Sequence, residues 1–171
     1  MKRQRTSVLI AIIALLAAIP AAGSAQTGPE ALIARARSVV MTPDPGREAI
    51  TRALVDALDA SLLILPRTDQ AGGTRSRIEG VKKIVEADGL FSDEAYRDLG
   101  LAYGSVSGGT AWTIPEELKS VKEPAKGIDL AVKICGRLLD SALAAHKAGR
   151  SQEAVRDLLG MVILVVTPIE K

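Results

Sequence analysis

The fold of this chain is decided by one stretch near its C-terminus, Leu158-Leu159-Gly160-Met161-Val162-Ile163-Leu164-Val165-Val166. None of its side chains is polar, so the stretch is suited to a protein core, as a buried helix or a buried strand. Hydrophobic periodicity alone does not separate the two. The chain holds no second segment that could pair with it as a strand, and a lone buried strand would leave its backbone groups without partners. We therefore predict that the stretch forms the central helix of an all-α fold. It is shorter than the roughly 20 apolar residues that a membrane span needs.

The rest of the sequence is also typical of helices. Ala, Leu, Arg, Glu and Lys dominate, and runs of alternating apolar and polar residues are scarce, which favours helices over sheets. Start and stop residues indicate an antiparallel bundle of about five to seven helices, four of them long. The predicted helices run over residues 29–40, from Asp44 to about Leu65, from Ser76 to Gly89, from Ser92 to Gly108, from Thr113 to about Val121, from about Pro124 to Ala148, and from Ser151 to Val166.

Residue types and spacing also predict how these helices begin and end. Gly89, Gly108 and Gly149 stand where a left-handed residue ends a helix. The predicted side-chain caps are Thr27 with Glu30, Asp44 ahead of Pro45, Ser76 with Glu79, Ser92 ahead of Asp93 and Glu94, Thr113 with Glu116, and Ser151.

The predicted helices carry apolar stripes at helical spacing. The stripes are Ile50, Leu54, Leu58, Leu62 and Leu65; Ile78, Val81, Ile84 and Val85; Ala95, Tyr96, Leu99, Ala102, Tyr103 and Val106; and Leu130, Ile134, Leu138 and Ala142, supported by Ala131, Cys135 and Leu139. Opposite the first stripe lie Glu48, Arg52, Asp56 and Asp59. We interpret these four as a solvated face, with Glu48 and Arg52 as an i,i+4 pair.

The first 25 residues have the pattern of a secretory signal peptide. Lys2, Arg3 and Arg5 precede an apolar run over residues 8–19, which Pro20 interrupts before a run of small residues. An uncleaved membrane anchor is the alternative, but the apolar run is short for a span. The arginines are not adjacent, so the pattern favours general secretion over the twin-arginine route.

The small-residue run predicts cleavage between Ala25 and Gln26, with cleavage after Gly23 or Ser24 as alternatives. No Cys follows the apolar run, so the usual site of lipid attachment is absent. The expected product is a single all-α domain over residues 26–171, without a stable membrane anchor, in the periplasm or outside the cell.

Removal of the signal peptide changes the charge balance. Loss of Lys2, Arg3 and Arg5 lowers the 22 basic residues to 19, one fewer than the 20 acidic residues. A chain so balanced lacks the basic surface that nucleic-acid binding requires, and it gives no support for adhesion to an anionic membrane.

Few residues suggest chemistry. Cys135 is the single cysteine and His146 the single histidine, so no disulfide can form within the chain, and no His pair or Cys pair has zinc-like spacing. We interpret Cys135 as a buried thiol and His146 as a structural residue near a helix C-terminus. The alternatives are an intermolecular disulfide or a reactive thiol at Cys135, and metal ligation or catalysis by His146. The Gly-rich segment 104–109 matches neither a nucleophile elbow nor a phosphate-binding loop, and no cofactor is predicted.

Aromatic residues are rare, yet three of the four, Tyr96, Tyr103 and Trp112, fall in one segment. Such side chains combine apolar area with a polar group, which suits a ligand groove between helices. The simpler alternative is that Trp112 fills the loop against the bundle. Tyr96, Tyr103, Trp112 and His146 are the pocket candidates.

The segment from His146 to Ala154 resembles the turn inside a tetratricopeptide hairpin. The resemblance covers about a dozen residues and does not repeat, whereas stacked repeats need about three units. It implies an antiparallel helix hairpin and no function.

These observations predict an exported, non-enzymatic helical bundle that binds a protein partner or a small apolar ligand. One alternative is an exported enzyme whose site assembles around His146 from distant residues. Another is a structural component that docks through a helix face.

Overall fold

A computed structural model describes residues 28–67, 73–88 and 92–167 of the chain. The signal-peptide segment, the cleavage site at Ala25 and Gln26, the Thr27 cap and the Gly89 helix end lie outside these residues.

The described residues form seven helices and no strand, which confirms the all-α prediction. The helices are α1 (Pro29–Val40), α2 (Arg47–Ile64), α3 (Thr74–Asp88), α4 (Asp93–Val106), α5 (Glu116–Lys119), α6 (Pro124–Lys147) and α7 (Ser151–Val166). No helix in this part of the chain combines the length and the apolar character that crossing a membrane requires.

Helix α7 lies at the centre, as its apolar sequence predicts. Every residue from Asp157 to Leu164 is buried, and α7 contacts α2, α4 and α6. Helix α1 also contacts α2 and α6, α3 contacts α2 and α4, and the short helix α5 contacts α6. The helices α1, α2, α3, α4, α7 and α6 thus form a closed circuit, which the contact between α2 and α7 crosses. Full burial of a Leu or Ile side chain stabilises by about 1.5–3 kcal/mol, so α7 is a main source of stability.

Several predicted helix ends are confirmed. Ser92 caps α4 by accepting a hydrogen bond from the Ala95 amide at 3.1 Å. At the end of α6, Gly149 has φ +73° and its amide donates to the His146 carbonyl at 2.9 Å, while the Arg150 amide donates to the Ala145 carbonyl at 2.9 Å. This is a Schellman ending, which places a left-handed residue at Gly149.

The other caps predicted within the described residues are wrong. Helix α2 begins at Arg47 with Gly46 as its N-cap, and Asp44 lies before it in a turn with φ +50°. Three more caps are displaced by one to three residues: Ser76 lies inside α3, Pro115 replaces Thr113 as the N-cap of α5, and Ser151 is the first helical residue of α7. A cap contributes only about 1 kcal/mol, so the packing of whole helices decides where each one begins.

The solvated face predicted for α2 is also wrong at two of its four positions. Asp56 is only 6% exposed and accepts two hydrogen bonds from Arg35 of α1, both at 2.5 Å. Asp59 is half-buried and accepts one from Lys82 of α3 at 2.6 Å. Because α2 packs between α1 and α3, its charged face is covered by neighbours that supply cations. The predicted pair of Glu48 and Arg52 does form on the exposed part of the helix.

The Arg35–Asp56 pair is expected to stabilise the fold much more than an exposed pair on the same helix. An Arg35→Gln change leaves the buried Asp56 carboxylate without its cation, and an unsatisfied buried group costs about 1–3 kcal/mol. The matched variant is Arg37→Gln, because Arg37 pairs with Asp140 where both side chains are about half exposed. We expect Arg35→Gln to lower the free energy of unfolding in urea clearly more than Arg37→Gln. Equal losses would contradict this account of Asp56.

Two glycines should respond in opposite ways to alanine. Gly149→Ala places a Cβ atom in the left-handed region, which costs about 1–2 kcal/mol. Gly160 lies inside α7, and a Cβ atom there would meet its nearest neighbours at 3.6–3.9 Å, an ordinary contact distance. Since alanine is the better helix former by about 1 kcal/mol, Gly160→Ala should raise the midpoint of thermal unfolding while Gly149→Ala lowers it. A loss of stability in both variants would contradict the conclusion that an alanine side chain fits beside Gly160.

Candidate functional site

The structure brings two of the predicted aromatic residues together. A Cβ atom built on Gly160 of α7 would lie 3.6 Å from Cε2 of Tyr103 and 3.8 Å from Nε1 of Trp112. Both aromatic side chains are half-buried and pack against the hydrophobic core. The absence of a side chain at Gly160 therefore lets the two aromatic residues approach the central helix, and Trp112 joins its loop to the bundle.

The other two pocket candidates lie apart from this pair. Tyr96, predicted on the inner side of α4, is 43% exposed. His146 lies in the last turn of α6, and its imidazole has no hydrogen bond or ion pair within the described residues. Leu138 of α6 lies beside the same glycine as the aromatic pair, since a Cβ atom built on Gly160 would be 3.9 Å from it. His146 follows Leu138 by eight residues, or about 12 Å along the helix. His146 is thus about two turns from the aromatic pair, and no carboxylate or hydroxyl among the described residues is hydrogen-bonded to it.

A buried carboxylate lies between α6 and α7. Asp157 is 6% exposed, and it accepts hydrogen bonds from Ser141 Oγ at 2.5 Å and from Arg156 Nε at 2.9 Å. The hydrogen bond to Asp157 raises the pKa of the Arg156 guanidinium. Each carboxylate oxygen of Asp157 accepts one of these hydrogen bonds, and the bond from Ser141 joins α6 to α7.

A cavity of about 570 Å³ opens on the other side of α6, where the end of α1 and the short helix α5 meet it. We call it the α1/α6 groove. Its lining residues are Arg37, Met41, Glu117, Leu130, Lys133, Gly136, Arg137 and Asp140.

The apolar part of the groove depends on a glycine. Gly136 is buried in α6, and a Cβ atom built on it would lie only 2.9 Å from Sδ of Met41. A side chain at this position would therefore push Met41 aside. Met41 itself is 45% exposed, and Leu130 is half-buried. Together the three residues form an apolar floor that remains open to solvent.

Charged side chains form the rim of the groove, and most of them are paired. Arg37 donates to Asp140 through Nε at 2.5 Å and through a terminal nitrogen at 3.0 Å, and this contact raises the pKa of the Arg37 guanidinium. Arg137 donates to Glu117 of α5 at 2.6 Å. Lys133 is exposed and has no hydrogen bond or ion pair among the described residues. The five charged residues together carry one net positive charge.

The sequence did not predict the groove, because its lining residues are distant from one another along the chain. Leu130, Lys133, Arg137 and Asp140 do recur at helical spacing on α6, so one wall could have been found from their periodicity. Arg37 and Asp140, however, are separated by 103 residues. No spacing rule relates α1 to α6.

Cys135 directly precedes the groove residue Gly136 in the sequence, but its side chain lies in the core. It is 3% exposed, and burial raises the pKa of its thiol to about 12, because the charged thiolate is poorly solvated there. The prediction of a buried thiol is confirmed.

The described residues contain no group of three or more His, Cys, Asp or Glu side chains arranged to hold a metal ion. No protein-family model, curated protein or solved structure matches this chain.

The position of Cys135 predicts a thiol that is unreactive in the folded protein. At about pH 8, an ordinary cysteine is partly ionised, whereas this one stays protonated and covered. We expect a disulfide reagent that releases a coloured thiolate to label the folded protein slowly and the urea-unfolded protein at once. A Cys135→Ala variant gives the background. Rapid labelling of the folded protein would contradict the burial of this side chain.

Proposed function

We propose that this protein is an exported, non-enzymatic binding protein whose α1/α6 groove takes a small ligand with an apolar part. The observation that carries the proposal is the combination of an open apolar floor with a charged rim. The signal-peptide pattern of the first 25 residues supports export.

The size of the groove suits a small molecule. Ligand pockets commonly measure about 300–1,000 Å³ and combine apolar lining with a few polar groups that orient the ligand, and this groove falls within that range. Met41 contributes exposed apolar surface at the groove. Covering such surface is favourable by about 25 cal/mol per Å², which gives an apolar ligand a reason to bind there.

The chemistry of the lining favours binding over catalysis. Both carboxylates of the groove, Glu117 and Asp140, are held by arginines, so neither is a free base. The thiol of Cys135 is buried, and His146 lies on α6 about two and a half helical turns beyond Arg137. What the groove offers a ligand is therefore contact area and charge.

Filling the groove should abolish binding of a neutral apolar probe. N-phenyl-1-naphthylamine fluoresces strongly in apolar surroundings and carries no charge, so its saturable binding tests the floor alone. A Gly136→Leu change places a side chain against Met41 and across the floor, and we expect it to reduce probe binding at least tenfold. The control is Gly80→Leu on α3, where a new side chain meets nothing within 4 Å.

The same experiment can contradict the proposal. If purified wild-type protein shows no saturable probe binding, or if Gly136→Leu binds as well as Gly80→Leu, the groove is not the site. Circular dichroism of each variant shows whether the fold is retained.

A further inference from the structure

Resting on the proposed function, we infer that the ligand of the α1/α6 groove carries an anionic group at the end of an apolar body, and that Lys133 binds this group. The ligand class is that of a fatty carboxylate or a similar single-headed anion.

The two arginines of the groove are already neutralised by internal partners. Arg37 binds Asp140 through two nitrogens, at 2.5 and 3.0 Å, in the bidentate arrangement typical of strong arginine–carboxylate pairs. Arg137 binds Glu117 at 2.6 Å. A ligand anion would have to displace a carboxylate from either arginine, so neither is the first choice as its partner.

Lys133 remains as the unpaired cation of the groove. Its ammonium has no ion pair within the described residues, although Asp129 precedes it by one helical turn on α6, a spacing at which pairs often form. Asp129 is not among the groove residues. The ammonium is therefore available to a ligand, and it is a compact charge on a flexible stem that can follow an anionic group.

The position of Lys133 links the charge to the apolar floor. It lies three residues from Leu130 and three from Gly136 on the same helix, spacings that place all three on one side of α6, and all three line the cavity. A ligand whose apolar body covers Leu130 and Met41 would thus bring its end close to the ammonium. A cationic end would instead meet one excess positive charge.

A series of probes that differ only in the head group tests the inference. Decanoate, 1-decanol and decyltrimethylammonium share a ten-carbon chain and carry negative, no and positive charge. Each is titrated against the purified protein with bound N-phenyl-1-naphthylamine at low salt, below the micelle concentration of the two ionic compounds and below the solubility limit of decanol. We expect decanoate to displace the probe about two- to fivefold more strongly than decanol, within the range of a partly exposed ion pair, and decyltrimethylammonium to be the weakest.

Two lysine variants test whether Lys133 causes the preference for decanoate. Lys133→Gln should remove the preference for decanoate while leaving the affinities for decanol and the fluorescent probe unchanged. Lys147→Gln is the matched control, because Lys147 is exposed on the same helix but 14 residues away, or about 21 Å. Salt near 1 M, where the screening length falls to about 3 Å, should weaken the preference in the wild-type protein.

The outcomes separate the two proposals. Absence of probe binding overturns the proposed function and the inference with it. Probe binding that all three amphiphiles displace equally, or that decyltrimethylammonium displaces best, overturns the anionic ligand and leaves the groove as a binding site. A preference for decanoate that persists in Lys133→Gln shows that another cation binds the anionic group.

Discussion

The burial of α7 constrains the rest of the molecule. Residues 158–166 of α7 are apolar on every side of the helix, so this part of α7 cannot leave a face to water and must be surrounded. Here α2, α4 and α6 contact it, and Tyr103 and Trp112 approach it at Gly160. Once α2 and α7 lie together at the centre, the remaining helices have only outer positions to fill. The circuit from α1 through α2, α3 and α4 to α7 and α6 follows from this requirement.

The outer helices are attached by a different kind of contact. Helix α1 buries Leu32, Ile33 and Ala36, but the arginines beside them extend to neighbouring helices. Arg35 reaches Asp56 of α2, and Arg37 reaches Asp140 of α6. A small apolar face thus holds α1 in place, and directional ion pairs orient it. The groove lies where this orientation brings the end of α1 beside α6.

The sequence could predict the features that depend on neighbouring residues, but not those that depend on contacts between helices. Local rules located the helix over residues 29–40, the central helix, the Ser92 cap and the Gly149 ending, because each depends on neighbouring residues alone. They failed for Asp56 and Asp59, because charged residues are expected to be exposed to solvent. Both residues are instead covered by neighbouring helices, where Asp56 pairs with Arg35 and Asp59 pairs with Lys82. The groove is also a product of packing, since Met41 and Gly136 meet only after α1 has docked on α6. Of the four pocket candidates predicted from sequence, only Tyr103 and Trp112 are brought together, and they contact the core away from the groove.

The charge of the groove is a consequence of how its walls are held. Arg37 joins α1 to α6, and Arg137 joins α6 to α5, so each arginine is matched by a carboxylate from the element that it holds. Such pairs leave no net charge, however many of them line a surface. Lys133 precedes both attachment points on α6, Arg137 and Asp140, and it has no hydrogen bond or ion pair among the described residues. Its charge is therefore the only one of the five that architecture leaves uncompensated. Substitution of Lys133 would therefore change the charge of the groove without breaking an ion pair between helices, whereas a change at Arg37 would also break the contact between α1 and α6.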